Sequence, residues 1–171
     1  LREKKDSAIF KIGNRKTAFT ADSYVVNPLF FPGGDIGSLA VYGTVNDLSV
    51  CGAKPLFISL SLIIEEGLDR ALLEKIIKSV KLASKKAGVY VVTGDTKVVE
   101  KGSCDKIFIN TSGIGEVYYP DLSISAIKID DSVILSGHLG EHAISVLSKR
   151  KGISFSTVVR SDSAPLHALG V

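Results

Sequence analysis

Within Val92-Thr93-Gly94-Asp95-Thr96-Lys97-Val98-Val99, four consecutive residues supply a glycine, a carboxylate, a hydroxyl and an ammonium. A β-branched run that empties into a glycine turn sets such side chains at the open end of a sheet, where substrates bind. Two further carboxylates stand in comparable company, Asp22 in Thr20-Ala21-Asp22-Ser23 and Asp47 in Thr44-Val45-Asn46-Asp47. Acidic residues at element ends, beside hydroxyls, amides and glycines, suit a magnesium-polyphosphate site, because Mg²⁺ takes carboxylate, phosphate and water oxygens. Lys97 would supply the cation that a transferring phosphate needs. Each aspartate also has a plain structural reading, as a helix cap or turn former.

Other groups are weaker candidates. Pro28-Leu29-Phe30-Phe31-Pro32-Gly33-Gly34-Asp35 reads either as a packed surface loop or as a lid or phosphate-facing loop. Asp35 is then either a further metal ligand or the cap of the following helix. His138 and His142 stand four apart, a spacing that can bind zinc, but no third ligand accompanies them. Cys51 and Cys104 have neither metal-ligand spacing nor a disulfide framework and read as reduced thiols. No Walker A motif and no kinase glycine loop occurs, so an ATP site here belongs to a less common type.

The elements that must hold these groups follow from apolar periodicity and turn residues. After a charged, loose opening at Leu1–Lys5, a hairpin turns at Gly13-Asn14-Arg15, and Asp22 follows its second strand. Ile36–Gly52 reads as a helix on which Thr44 and Asp47 share a face. Leu56–Glu65 is a buried strand. Asp69–Gly88 is the clearest helix, with an apolar stripe from Leu72 to Ala87 opposite lysines. Val89–Thr93 reads as a buried strand, and Lys106–Thr111 begins another that runs towards Val117. Asp131–Gly137 reads as a strand leading into a helix from about Leu139 to Arg150, the start of a second unit.

The 171 residues, 45% hydrophobic and 23% charged, describe an ordinary globular chain long enough for one domain and part of another. A net charge of +3 without a basic, aromatic-interleaved stripe argues against nucleic acid. The longest apolar run, Leu56–Ile64, is too short to cross a bilayer, and no secretory signal is visible. Methionine is absent even at position 1, as expected of an incomplete chain.

Thr20–Ser23, Phe30-Phe31-Pro32-Gly33-Gly34-Asp35, Gly43-Thr44-Val45-Asn46-Asp47-Leu48, Gly52-Ala53-Lys54-Pro55, Glu65-Glu66-Gly67 and Gly94-Asp95-Thr96-Lys97-Val98-Val99 closely resemble the HypE family of hydrogenase expression/formation proteins. Ser136–His142 and Ser161-Asp162-Ser163-Ala164-Pro165-Leu166 resemble it too. That family is a branch of the aminoimidazole-ribonucleotide synthetase (PurM-like) superfamily. The resemblance implies an α/β (α+β) fold: an N-terminal domain of ferredoxin-like character over residues 1–118, dimerising into a central β-barrel. Residues 119–171 would be a linker and the beginning of a second α/β domain. It further implies ATP and Mg²⁺ between the domains, with Asp22, Asp47 and Asp95 as metal or nucleotide residues and Lys97 as the catalytic cation alongside Asp95. Asn46 and Thr96 would line the nucleotide site, and Asp35 would be a further metal ligand.

The implied reaction, in [NiFe]-hydrogenase maturation, is ATP-dependent dehydration of a carbamoylated C-terminal cysteine to a thiocyanate, whose cyanide becomes an iron ligand. The implied setting is a cytoplasmic homodimer working with the carbamoyltransferase HypF and a HypC-HypD complex. A glycine-rich segment before the first hairpin and a terminal cysteine belong to the pattern, and neither occurs between Leu1 and Val171. The chain is therefore expected to be a fragment without turnover of its own. Other superfamily chemistries, selenophosphate, aminoimidazole-ribonucleotide or thiamine-phosphate synthesis, fit the Phe-Pro-Gly-Gly loop less well. A non-catalytic maturation scaffold would not need the carboxylates and Lys97.

Overall fold

The computed structural model describes residues 5–120 and 122–169, so most of the segment expected to be loose at the start lies outside the described residues. Gly13 and Asn14 turn the chain between strands β1 (Ala8–Ile12) and β2 (Arg15–Tyr24), which pair with Ala8 opposite Phe19. Asp22 thus lies inside a strand and not after it. The stretch expected to be a turn-rich loop closes into a miniature hairpin, β3 (Phe30–Phe31) against β4 (Gly34–Asp35).

Helix α1 (Ile36–Val50) begins at Asp35, whose carboxylate accepts the amides of Gly37 and Ser38, while Ser38 Oγ accepts the Asp35 amide. This reciprocal cap satisfies the orphan donors of the first turn. Strand β5 (Ala53–Glu65) follows, then helix α2 (Arg70–Ala87), capped by Asp69 and stopped by Gly88 in the left-handed conformation at φ 66°. Strands β6 (Tyr90–Val99) and β7 (Ile107–Val117) complete one five-stranded sheet of order β1-β2-β7-β5-β6. Only the β5–β6 pairing is parallel.

Both long helices cover one face of this sheet. Ile36, Ala40 and Ile76 pack on Tyr24, Leu62, Ile64, Ile107 and Ile109, while Val41, Val45, Val80 and Ala83 close over Ile58 and Val89. Each such aliphatic side chain contributes about 1.5–3 kcal/mol by leaving water, which makes this layer the main stabiliser of the fold. The other face is uncovered and leaves Phe19, Phe57, Ile63 and Ile114 about 40% exposed. Within one chain the sheet is open, with β1 and β6 as its edges and no closed barrel.

Beyond Tyr118 the chain carries short 3₁₀ turns at Ile124–Ala126 and His167–Leu169, and helix α3 (Glu141–Lys151) as expected. The strand expected at Asp131–Gly137 does not form. Its β-branched residues are suited to a strand, but no strand lies beside it among the described residues to take its backbone groups, and Val133 and Ile134 stay 91% and 86% exposed.

Candidate functional site

The alternation of β2 turns Thr20, Asp22 and Tyr24 towards α1, where Thr44 and Asp47, three apart on one helical face, meet them. Thr20 Oγ1 lies 3.1 Å from Asp47 Oδ2 and 3.0 Å from the Asp6 carbonyl oxygen, two acceptors that share its one proton. Ser7 Oγ donates to the Asp47 carbonyl at 2.9 Å, tying the entry to β1 to the same helix turn. Partial burial raises the Asp47 carboxyl above its ordinary range. The Thr20 hydrogen bond opposes that rise, and the charges of Asp22 and Asp6 add to it. The cluster is therefore a set of mutually repelling carboxylates that a cation would relieve.

Beneath it runs a buried hydroxyl chain. The Tyr24 hydroxyl meets Thr44 Oγ1 at 3.2 Å, Thr44 bonds closely to Thr111 of β7, and Thr111 reaches the Ala40 carbonyl at 3.4 Å. Burial pushes the Tyr24 phenol well up, the Thr44 bond opposes this, and Asp22 and Asp47 reinforce it, so Tyr24 stays neutral. Above the carboxylates, Asp6, Asn46, Asp47 and Ser49 face Ile134, Ser136 and Leu166 across a cleft of about 780 Å³.

The Gly-Asp-Thr-Lys stretch is not a turn. Gly94–Lys97 continue β6, which pairs with β5 through Glu65 opposite Val99. The glycine serves close approach here: a Cβ at Gly94 would strike the Leu60 carbonyl oxygen, just past an irregularity in register between Ile58 and Ser59. Nor is the strand buried. As a sheet edge it exposes Tyr90 through Val98.

Pairing with Ser61 and Ile63 turns Asp95 and Lys97 to the uncovered face, whereas Asp22 and Thr111, in the row of Leu60 and Gly94, face the helices. Lys97 Nζ stands 3.9 Å from Asp95 Oδ2, both side chains mostly exposed. Three strand spacings, about 14 Å, separate β6 from β2. One chain thus brings Asp22 and Asp47 together and leaves Asp95, Thr96 and Lys97 apart from them.

Two other candidates are committed elsewhere. Asp35 is the α1 cap and also accepts the Ser79 hydroxyl of α2 at 2.6 Å, a helix length from Asp47. Asn46 spends its amide on the backbone of Ala164 and Leu166. His138 pairs with Glu141 at 3.0 Å, and His142 bonds Ser161 and stands edge-on to Phe31, so the two histidines form no metal pair. Cys51 and Cys104 are free and buried. Among the described residues, no three Asp, Glu, His or Cys side chains converge as a complete metal cage. Sequence reasoning missed Asp6, Tyr24 and Thr111. The two-residue alternation through Thr20, Asp22 and Tyr24 could have revealed Tyr24, but nothing local marks Thr111 or Asp6.

An α/β sheet with paired helices on one face and a carboxylate cluster where β2 meets α1 defines an N-terminal domain of the AIR synthase class. The sequence profile of "AIR synthase related protein, N-terminal domain" matches residues 4–117, and the chain belongs to that family. Within it, the resemblance to HypE proteins holds: "Carbamoyl dehydratase HypE" of Bradyrhizobium diazoefficiens is 50% identical over 167 residues, 96% of this chain and 48% of that protein. The structure titled "Crystal structure of HypE-HypF complex" superposes with a TM-score of 0.90 at 53% identity, over 96% of this chain and 53% of that one. A HypE structure described as "in complex with ATP" gives 0.79 at 46% identity, over 96% and 49%. The chain spans about half the length of the curated relatives it matches. No helix among the described residues is long and apolar enough to cross a membrane.

Proposed function

We propose that this chain is the ATP-binding part of a carbamoyl dehydratase that makes the cyanide ligand for [NiFe]-hydrogenase. The observation that carries this is the carboxylate cluster beside α1, in which Asp47 and Asp6 line the cleft and Asp22 acts on Asp47 from β2. Burial chiefly, with the charges of Asp22 and Asp6 adding to it, raises the Asp47 carboxyl, a setting that fits a divalent cation held by one or two carboxylates together with oxygens that are not the protein's. Asp47 and Asp22 would hold Mg²⁺, which when bound neutralises polyphosphate charge. Relatives named carbamoyl dehydratase, and one solved with ATP, support the reading.

In the net reaction a thiocarbamate, R–S–C(=O)NH₂, and ATP give R–S–C≡N, ADP and phosphate; the amide oxygen departs in the phosphate. In this reading Lys97 would neutralise charge on that oxygen, with Asp95, 3.9 Å away, as its partner. Asp95 and Lys97 would join the carboxylates through a second copy, in a homodimer whose uncovered faces close a barrel. The half-exposed Phe19, Phe57, Ile63 and Ile114 and the free β6 edge support that arrangement. In the same reading, residues 1–118 form the ATP-binding domain and 119–171 a linker and the beginning of a second. The setting is the cytoplasm, the carbamoyl donor to the terminal cysteine a HypF-type transferase, and the acceptor of the cyanide a HypC-HypD complex.

The test mixes the protein from its full reading frame with its carbamoyltransferase, carbamoyl phosphate and Mg-ATP, and follows intact mass. The expected result is a carbamoyl adduct on a terminal cysteine that loses the mass of one water, only with ATP and only with Asp95 and Lys97 intact. An adduct that never dehydrates, or a frame without a terminal cysteine, overturns it.

A further inference from the structure

We propose that Asn46 is a positioning residue and not a nucleotide ligand: with the Pro32-Gly33 turn it clamps the Ser161–Leu166 strap along α1 and fixes the cleft wall opposite Asp47. Three observations converge. Asn46 Nδ2 donates to the Ala164 carbonyl at 3.0 Å, and Asn46 Oδ1 accepts the Leu166 amide at 2.8 Å. The side-chain amide thus reads the strap as a neighbouring strand would, with one donor and one acceptor of its carboxamide both satisfied. One Nδ2 proton and one Oδ1 lone pair remain, so the strap takes half of the carboxamide's bonding capacity and fixes the plane of the rest.

The second anchor lies at the other end of α1, in the Phe-Pro-Gly-Gly hairpin. The Ser161 amide donates to the Pro32 carbonyl at 2.8 Å. Gly33 sits at φ 90°, and a Cβ there would come within 2.6 Å of the Ser161 nitrogen, so this glycine is required both by its backbone and by what it receives. Third, the strap is locked onto α3. Ser161 Oγ bonds His142 Nδ1 at 3.0 Å and accepts the Ser163 amide at 3.1 Å, and His142 stands edge-on to Phe31 of the same hairpin.

The Phe-Pro-Gly-Gly loop is thereby a dock for the strap. The strap leads directly into Leu166 and Leu169, which wall the cleft over Asp6 and Asp47. Loss of either anchor frees that wall without touching a carboxylate. The effect on nucleotide binding rests on the function proposed above; the clamp itself does not.

Backbone amide exchange and Mg-ATP affinity, measured together on the full-length protein, test this. Asn46→Ala and Gly33→Ala are expected to speed exchange across residues 161–166 by about tenfold each and to weaken Mg-ATP several-fold, while kcat at saturating ATP changes little. Asn46→Gln is expected to recover part of the protection. A weakened Mg-ATP affinity in Asn46→Ala with strap exchange unchanged would make Asn46 a direct ligand and overturn the clamp, whereas Gly33→Ala that speeds exchange yet leaves Mg-ATP affinity at the parental value would overturn the strap's role in fixing the cleft wall. If the parent binds no Mg-ATP while both variants still lose strap protection, the clamp stands and the nucleotide reading fails.

Discussion

The α1–β2 cluster and the β6 edge carry similar side chains in opposite physical states. At the first, carboxylates and hydroxyls are half-buried, cross-bonded between two elements and perturbed by one another. At the second, Asp95 and Lys97 stand on an uncovered strand with one long ion pair between them. Chemical type alone therefore does not say whether a site is finished. The cluster is assembled by the fold of one chain, whereas the edge presents groups that need something else to close over them.

Mutations should separate the two regions by which property they move. The largest effect is expected at the edge and only in catalysis. Lys97→Ala should lower kcat of the full-length protein by about 10²–10³, with a thermal midpoint within about 1 °C of the parent, since an exposed side chain adds little to stability. A comparable loss of stability would erase the contrast. In the buried layer the order reverses. Thr44→Val keeps the volume but strips the link between Tyr24 and Thr111, and should cost about 2 kcal/mol in urea titration. A change below about 0.5 kcal/mol would mean that this chain is not a stabilising element.

The smallest effect depends on pH. Because the folded protein raises the Asp47 carboxyl, it holds that proton more tightly than the unfolded chain does. The contribution to stability is present below the ordinary carboxylate range and is lost as pH climbs through the raised value, so the charged form is a net cost at neutrality. Asp47→Asn keeps an acceptor for Thr20 and should be more stable than the parent at pH 7 by about 0.5 kcal/mol after solvent screening, with the gap closing by pH 4. Mg²⁺ should stabilise the parent and leave the variant unmoved. The opposite pH trend would place the cluster outside cation binding.

Much of this was readable from residues. Helical periodicity and the Asp35, Asp69 and Gly88 signals fixed α1 and α2 because caps and stripes are local properties. The sharing of a face by Thr44 and Asp47 is helix geometry. What failed is non-local. Whether Gly94 makes a turn depends on Leu60 opposite it, and whether Asp131–Gly137 becomes a strand depends on a neighbour to bond. The side of the sheet to which Asp95 points follows from register with Ser61, and the duty of Asn46 from a segment more than a hundred residues away. Thr111 completes the hydroxyl chain only because β7 is threaded between two earlier strands.

That threading also orders events on the ribosome. β2 and β5 run parallel on either side of β7, and one edge of each has only β7 to supply its hydrogen bonds, with Asp22 opposite Thr111 and Leu60 opposite the same residue. Until residue 117 has emerged, both strands present bare edges, and nascent chains held close together would find one another by the pairing reserved for β7.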